Sequence, residues 1–209
     1  MKNLIIIGAG GMGRTLYSNA LESIGYGEKF VIKGFIDDNL QALDGFPSYP
    51  PIIDTIKDYM PQQDDVFVSS IGGAARRPCM EEIISRGGEF MELIHQTARV
   101  YSNAKLGKGN FIGAYSVIGN DTLIGDYNMI QSYTVIGHDA KIGNWNRIDT
   151  HVTCVGGIVI EDEVNIHTSA VISHNVRVET GAHVGALSFV IRKVKAGTTV
   201  MGVPAKKLM

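Results

Sequence analysis

The sequence predicts an α/β unit over residues 1–93 followed by an all-β coil of short parallel strands over residues 94–209. Three observations carry that reading. From Ile94 to Val190 every sixth residue is apolar, a run that chance does not produce at 44% apolar content. The chain opens on the apolar run LIII followed at once by GAGGMG, the pattern of a strand entering a glycine turn. The interval before the hexads accommodates one βαβαβ half of a doubly wound sheet and not two.

The elements of the first unit follow in order. Residues 4–7 read as a strand and GAGGMG as a tight turn. Leu16, Ala20, Leu21 and Ile24 then mark one face of a helix. Gly8, Gly10 and Gly13 satisfy GxGxxG, a turn that brings backbone N–H groups and a helix N-terminus to a phosphate. Residues 30–36 form a second strand ending in Asp37 and Asp38. Asp37 lies where an acidic residue meets a ribose hydroxyl. A helix is expected over 52–59, a third strand over 66–71 closed by Gly72 and Gly73, a third helix over 75–86 and a fourth strand over 90–93. The unit is a half-Rossmann fold. It is too short for NAD and long enough for the nucleoside of a nucleotide sugar.

In the second unit the aliphatic residue fills the centre of a coil made of three hexads. Glycine follows it at 107, 113, 119, 125, 137, 143 and 185, where neighbouring backbones must approach closely. The residue four places after it is small or β-branched, as at Ala98, Thr122, Thr134, Ala140 and Ala170. Each residue then stacks on the one 18 earlier, about 4.8 Å away. Tyr115, Tyr127, Met129 and Tyr133 are read as outward residues, too apolar for bare surface, so a cyclic trimer is expected.

Composition narrows the function. A net charge of −2 with both signs scattered argues against a nucleic-acid surface. Cys79 and Cys154 are not expected to pair, and Cys154 occupies a core hexad position. No apolar run reaches membrane-spanning length and the N-terminus reads as a strand, so a cytoplasmic protein without a membrane span is expected. His151, His174 and His183 share no column, so no metal site is expected.

The hexads IGAYSV, IGNDTL and IGHDAK resemble the left-handed parallel β-helix of the hexapeptide acyltransferases. MGVPAKKLM resembles the tail that ends many of them. Joined to a half-Rossmann unit, the chain resembles the sialic acid O-acetyltransferase and bacillosamine-pathway nucleotide-sugar acetyltransferase subfamily. The resemblance implies a homotrimer with acetyl-CoA lying between neighbouring β-helices, and no metal. It places the nucleotide, UDP-linked for choice, on Gly8, Gly10, Gly11, Asp37, Asp38, Ile71 and Gly72.

Acyl transfer from a thioester needs a base for the incoming nucleophile and a donor for the oxyanion. GHD resembles the family's catalytic His and acidic residue, giving His138 as base and Asp139 as its orienting partner. Gly156, one coil onward, is the expected oxyanion donor. Gly185, Ala186 and Ser188 are small enough to let a pantetheine arm pass, with Lys206, Arg192 and Lys193 toward its phosphates. Gln131, Asp149 and His167 form a column at 18-residue intervals, a rival dyad assigned to substrate contact or interface packing. Arg147 stands where some members carry a second His; it is no base, but it binds phosphate or carboxylate. The expected activity is N-acetylation of a nucleotide-linked 4-amino sugar for surface glycan synthesis. The alternatives are O-acetylation of a sialic or related sugar, and a non-catalytic nucleotide-sugar-binding trimer.

Overall fold

A computed structural model describes residues 1–208, which divide into two compact units, 1–93 and 94–208. In the first unit, β1 (Lys2–Ile7), β2 (Phe30–Ile36), β3 (Ile52–Asp54), β4 (Asp65–Ser69) and β5 (Glu89–Phe90) form a parallel sheet of order β3-β2-β1-β4-β5. Leu4 to Ile7 are fully buried, as a central parallel strand covered on both faces requires. Helix α1 (Gly11–Leu21) turns Gly13, Leu16 and Ala20 inward, and α2 (Arg76–Ser85) buries Met80 and Ile83. Strand order reverses on either side of β1, so the carboxyl ends of β1, β2 and β4 frame the crevice where such sheets take ligands.

The helix expected over 52–59 does not form. Ile52 and Ile53 extend β2 as β3, and a turn follows in which the Thr55 hydroxyl accepts from Asp58 N (3.0 Å) and donates to the Asp58 carboxylate (2.7 Å). Apolar residues at 52, 53, 56 and 59 mimic a helical face. In the fold the first pair serves a strand, and Ile56 and Tyr59 turn under into the core. The Tyr59 hydroxyl donates to Asp65 (2.6 Å), and Lys33 Nζ donates to both (2.8 and 3.0 Å). Burial alone would push the Asp65 carboxyl up, but donors from Tyr59, Gln62 and Lys33 bring it below its ordinary value. The strand expected over 90–93 is two separate pieces, β5 and Leu93–Ile94, the latter already paired with the first coil.

In the second unit, two-residue strands stack in parallel into three faces. The first runs from Arg99–Val100 to Phe189–Val190 and the second from Lys105–Leu106 to Arg177–Val178. The third runs from Leu93–Ile94 to an antiparallel hairpin, Thr199–Gly202 with Ala205–Lys207. Pairing holds an 18-residue register up to Phe189, as in Val117, Val135, Thr153, Val171 and Phe189, and the closing coil is shorter, with His183 paired to Thr199 and Val178 to Val194. The hexad aliphatics from Ile112 to Val190 are buried. Corner interiors are sealed by hydroxyls and amides: Thr122 donates to Gly137 O and Thr134 to Asp149 O. Asn110, Asn128 and Asn146 form a ladder in which each side-chain oxygen accepts an amide from the next coil.

Where glycine follows the aliphatic residue, crowding requires it. A Cβ on Gly119 would lie 2.7 Å from Gly137 C. The left-handed corner residues are mostly not glycine: Tyr115, Tyr133, Asp139 and His151 all have φ near +60° (57 to 61). Stacked rings support two of these corners, Tyr115 on Tyr133 on His151, and Tyr127 on Trp145. Tyr115 and Tyr133 are exposed as expected. Met129 is not outward surface but 1% exposed. The exposed apolar stripe lies elsewhere, on the first face, where Val135 and Phe189 are each 38% exposed.

Candidate active site

His138 follows Gly137 at the corner between the first and second faces, and Asp139 takes the left-handed conformation there (φ 57°). That turn folds the carboxylate back onto the ring, placing His138 Nδ1 2.6 Å from Asp139 Oδ2. A carboxylate accepts, so Nδ1 carries the hydrogen and Nε2 keeps its lone pair. The pair is open to solvent, with side chains 65% and 66% exposed.

Gly156 lies directly beneath this ring. A Cβ there would sit 2.6 Å from both Cε1 and Nε2 of His138. The residue is glycine because an imidazole packs on its Cα, not because its φ is positive. Its amide donates no hydrogen bond among the described residues, whereas Val155 N and Gly157 N on either side donate to Ile172 O and His138 O. The corner therefore offers a lone pair and a free N–H side by side, the pairing that acyl transfer needs. His174, which sequence reasoning set aside, belongs to the same column: its Nδ1 is 3.3 Å from Gly156 O. The signal was available as a spacing of two coils.

The rival column also forms. Asp149, its side chain 11% exposed, accepts from Gln131 Nε2 (2.7 Å), Arg147 Nε (2.7 Å) and His167 Nδ1 (3.2 Å). Arg147 thus joins a cluster read from sequence as three residues. Within one chain the cluster follows the third face, away from the corner that holds His138.

In the first unit the four motif glycines divide by role. A Cβ on Gly8 (φ +91°) would meet Ser70 Oγ at 2.5 Å, and one on Gly13 would meet Gly8 O at 2.0 Å, so both serve packing. A Cβ added at Gly10 or Gly11 would meet nothing within 4 Å, so the start of α1 presents an open cradle. Asp37 spans the turn, accepting Ala9 N (2.7 Å) on one oxygen and Asn39 N (2.8 Å) on the other. Asp38 is exposed and among the described residues accepts only Ile56 N (3.0 Å), which leaves one carboxylate oxygen for a ligand. Ile71 packs its Cδ1 toward Gly8, and Ser70 Oγ donates to Ile7 O (2.9 Å), tying the ends of β4 and β1 together beside Gly72. Arg14, not singled out from sequence, stacks on Phe46 at 3.8 Å at the same end of the sheet.

At the far end of the coil, Arg192, Lys193, Lys195, Lys206 and Lys207 line a cavity of about 430 Å³ with Val190, Val194 and Ala205. Ala186 is exposed. Gly185 and Ser188 serve the closing hairpin instead: a Cβ on Gly185 would meet Met201 Cβ at 2.8 Å, and Ser188 Oγ accepts Gly202 N (3.1 Å). Burial pushes the thiol of Cys154 up to about 12, and burial with Asp38 nearby pushes Cys79 up to about 11, so neither is a ready nucleophile. Among the described residues no three His, Cys, Asp or Glu side chains are grouped to hold a metal ion, and no helix is long and apolar enough to cross a membrane.

Residues 3–83 match the family described as the PglD N-terminal domain. The acetyltransferase domain of PglB from Neisseria gonorrhoeae FA1090 is similar over 100% of both chains, with TM-score 0.88 and 28% identity. Its complex with acetyl coenzyme A matches at TM-score 0.86. PerB from Caulobacter crescentus, in complex with CoA and GDP-perosamine, shares the fold at TM-score 0.88 and 22% identity, covering 100% of this chain and 98% of its own. A 2,3,4,5-tetrahydropyridine-2,6-dicarboxylate N-acetyltransferase from Staphylococcus aureus (strain bovine RF122 / ET3-1) is 51% identical over 49 residues, 23% of this chain and 20% of that relative.

Proposed function

We propose that this chain, a member of the hexapeptide-repeat nucleotide-sugar acetyltransferase family, transfers acetyl from acetyl-CoA to the amino group of a UDP-linked 4-amino sugar. The observation that carries the reading is His138 seated on Gly156, with its Nδ1 held by Asp139 and the Gly156 amide free.

The amine nitrogen attacks the thioester carbonyl carbon, and the carbonyl oxygen takes up negative charge within reach of the Gly156 N–H. His138 Nε2 accepts a proton from the attacking nitrogen, while Asp139 holds the ring tautomer and balances the imidazolium. The C–S bond then breaks, the proton passes to the departing sulfur, and the products are the N-acetyl sugar and free CoA. A hydroxyl acceptor would use the same base. The bacillosamine-pathway resemblance and the local likeness to a curated N-acetyltransferase favour the amine.

The first unit recognises the nucleotide. Gly10 and Gly11 leave room for the pyrophosphate, Asp38 offers its uncommitted oxygen to the ribose, and Asp37 with Gly8 holds the turn; Ile71 and Gly72 line the crevice. Ala186 borders the pantetheine path, and Lys206 with Arg192 faces the CoA phosphates. Gln131, Arg147 and His167, oriented by Asp149, contact the sugar from a neighbouring subunit. The protein works in the cytoplasm, the compartment that the sequence reading assigns to it.

A ligand panel tests the nucleotide assignment. UDP at about 100 Kd stabilises by roughly 2.7 kcal/mol, so UDP should raise the melting midpoint clearly. GDP, dTDP, CMP and NAD should leave it in place. A shift with NAD and none with UDP defeats the mononucleotide reading. Release of free thiol from acetyl-CoA, dependent on the amino sugar, separates an enzyme from a mere binder.

The assembly is a homotrimer. On the first face the exposed Val135 and Phe189 and the half-buried Val117 and Val171 form an apolar stripe that leads to the corner of His138, and such faces are normally covered. Light scattering should give three times the 22.6 kDa chain mass. A monomer at micromolar concentration removes the shared role of the Asp149 cluster.

A further inference from the structure

The corner that carries the base holds a second imidazole that the reaction above leaves unused. His138, Gly156 and His174 follow one another at 18-residue intervals, in the register fixed by the adjoining first face, and Arg192 lies in the shortened corner of the coil after His174. His174 is exposed, and its Nδ1 lies 3.3 Å from the Gly156 carbonyl oxygen. A carbonyl oxygen only accepts, so Nδ1 carries the hydrogen and Nε2 of the neutral ring is an acceptor. Gly156 is thus flanked by two imidazoles, one resting on its Cα and one tied to its carbonyl.

We propose that His174 Nε2 accepts a hydrogen bond from the amide N–H of acetyl-CoA nearest the thioester. This rests on the acetyltransferase reading, with the thioester at His138 and the CoA arm running toward the C-terminal coils. Two methylenes separate that amide nitrogen from the sulfur, about 4 Å in extended geometry. Successive coils are about 4.8 Å apart. A thioester oxygen on the Gly156 amide therefore sets the first pantetheine amide at the level of the next coil, which is the level of His174. The direction agrees with the charge: Arg192, in the next coil, lines the cationic cavity suited to the phosphates.

The test compares three acetyl donors in the full-length protein and in His174→Ala. Acetyl-CoA carries both amide and phosphates, S-acetyl-N-acetylcysteamine keeps only the amide, and S-butyl thioacetate has neither. With the first two donors, kcat/KM should fall about tenfold in the variant, chiefly through KM, as expected for one lost hydrogen bond in a site closed by substrate. With S-butyl thioacetate it should change less than twofold. His174→Gln, which retains an acceptor oxygen, should recover most of the loss. An equal loss with all three donors makes His174 a structural support of the corner, and no loss with any removes it from the site; either result overturns the inference. A wild-type chain that releases thiol from none of the three defeats the acetyltransferase reading itself, which is a separate result.

Discussion

His138→Ala should lower kcat for acetyl transfer by roughly 10²–10⁴, the usual contribution of a positioned general base. The KM for acetyl-CoA should change little, because the imidazole acts on the acceptor nitrogen and not on the CoA arm. Folding should be unaffected, since the side chain is 65% exposed and its one polar partner is the adjacent Asp139. His167→Ala should leave turnover largely intact and act on the KM for the sugar. His167 shares Asp149 with Gln131 and Arg147, so its removal leaves that carboxylate with two donors. The opposite pattern, near-normal turnover without His138 and collapse without His167, would transfer the chemistry to the Asp149 cluster. His138 is exposed and His167 half-buried, so a melting curve of each variant accompanies the kinetics.

What the sequence could reveal depended on repetition. From Ile112 to Val190 each hexad aliphatic meets the same interior, so period alone marks the core, the register and the His138, Gly156 column. Where a position is used once, pattern misleads. Ile52, Ile53, Ile56 and Tyr59 have helical spacing. Their actual environments are a strand edge and a turn held by Thr55 and Asp58, neither of which repeats. Met129 sits at an outward strand position and is nonetheless buried, which no period announces. Small residues are ambiguous in the same way: Gly185 and Ser188 accommodate the closing hairpin, while Gly10 and Gly11 leave open space. Asp37 and Asp38 are neighbours with different duties, one holding the glycine turn through both oxygens and one exposed with an oxygen to spare. Only the backbone path, set by long-range contacts, separates these cases.

Gly156→Ala should lower kcat by about 10² or more while leaving the fold and the acetyl-CoA KM nearly unchanged. The added methyl would begin 2.6 Å from Cε1 and Nε2 of His138, well inside van der Waals contact. The colliding group is the end of an exposed side chain, so the ring can swing aside at small cost to stability. The swing, however, moves the lone pair by about 1 Å from its place over the free amide, and misplacement on that scale costs about 10²-fold in rate. Alanine keeps its N–H, so an effect of this size must come from the lost seat of the imidazole and not from a lost oxyanion donor. The double variant separates the two completely. If Gly156 acts by seating the ring, adding Gly156→Ala to His138→Ala should cost almost nothing further, because the group it would displace is already gone. Losses that multiply in full would show Gly156 and His138 to be independent. The glycine would then have some role other than holding the base where the amide can share its substrate.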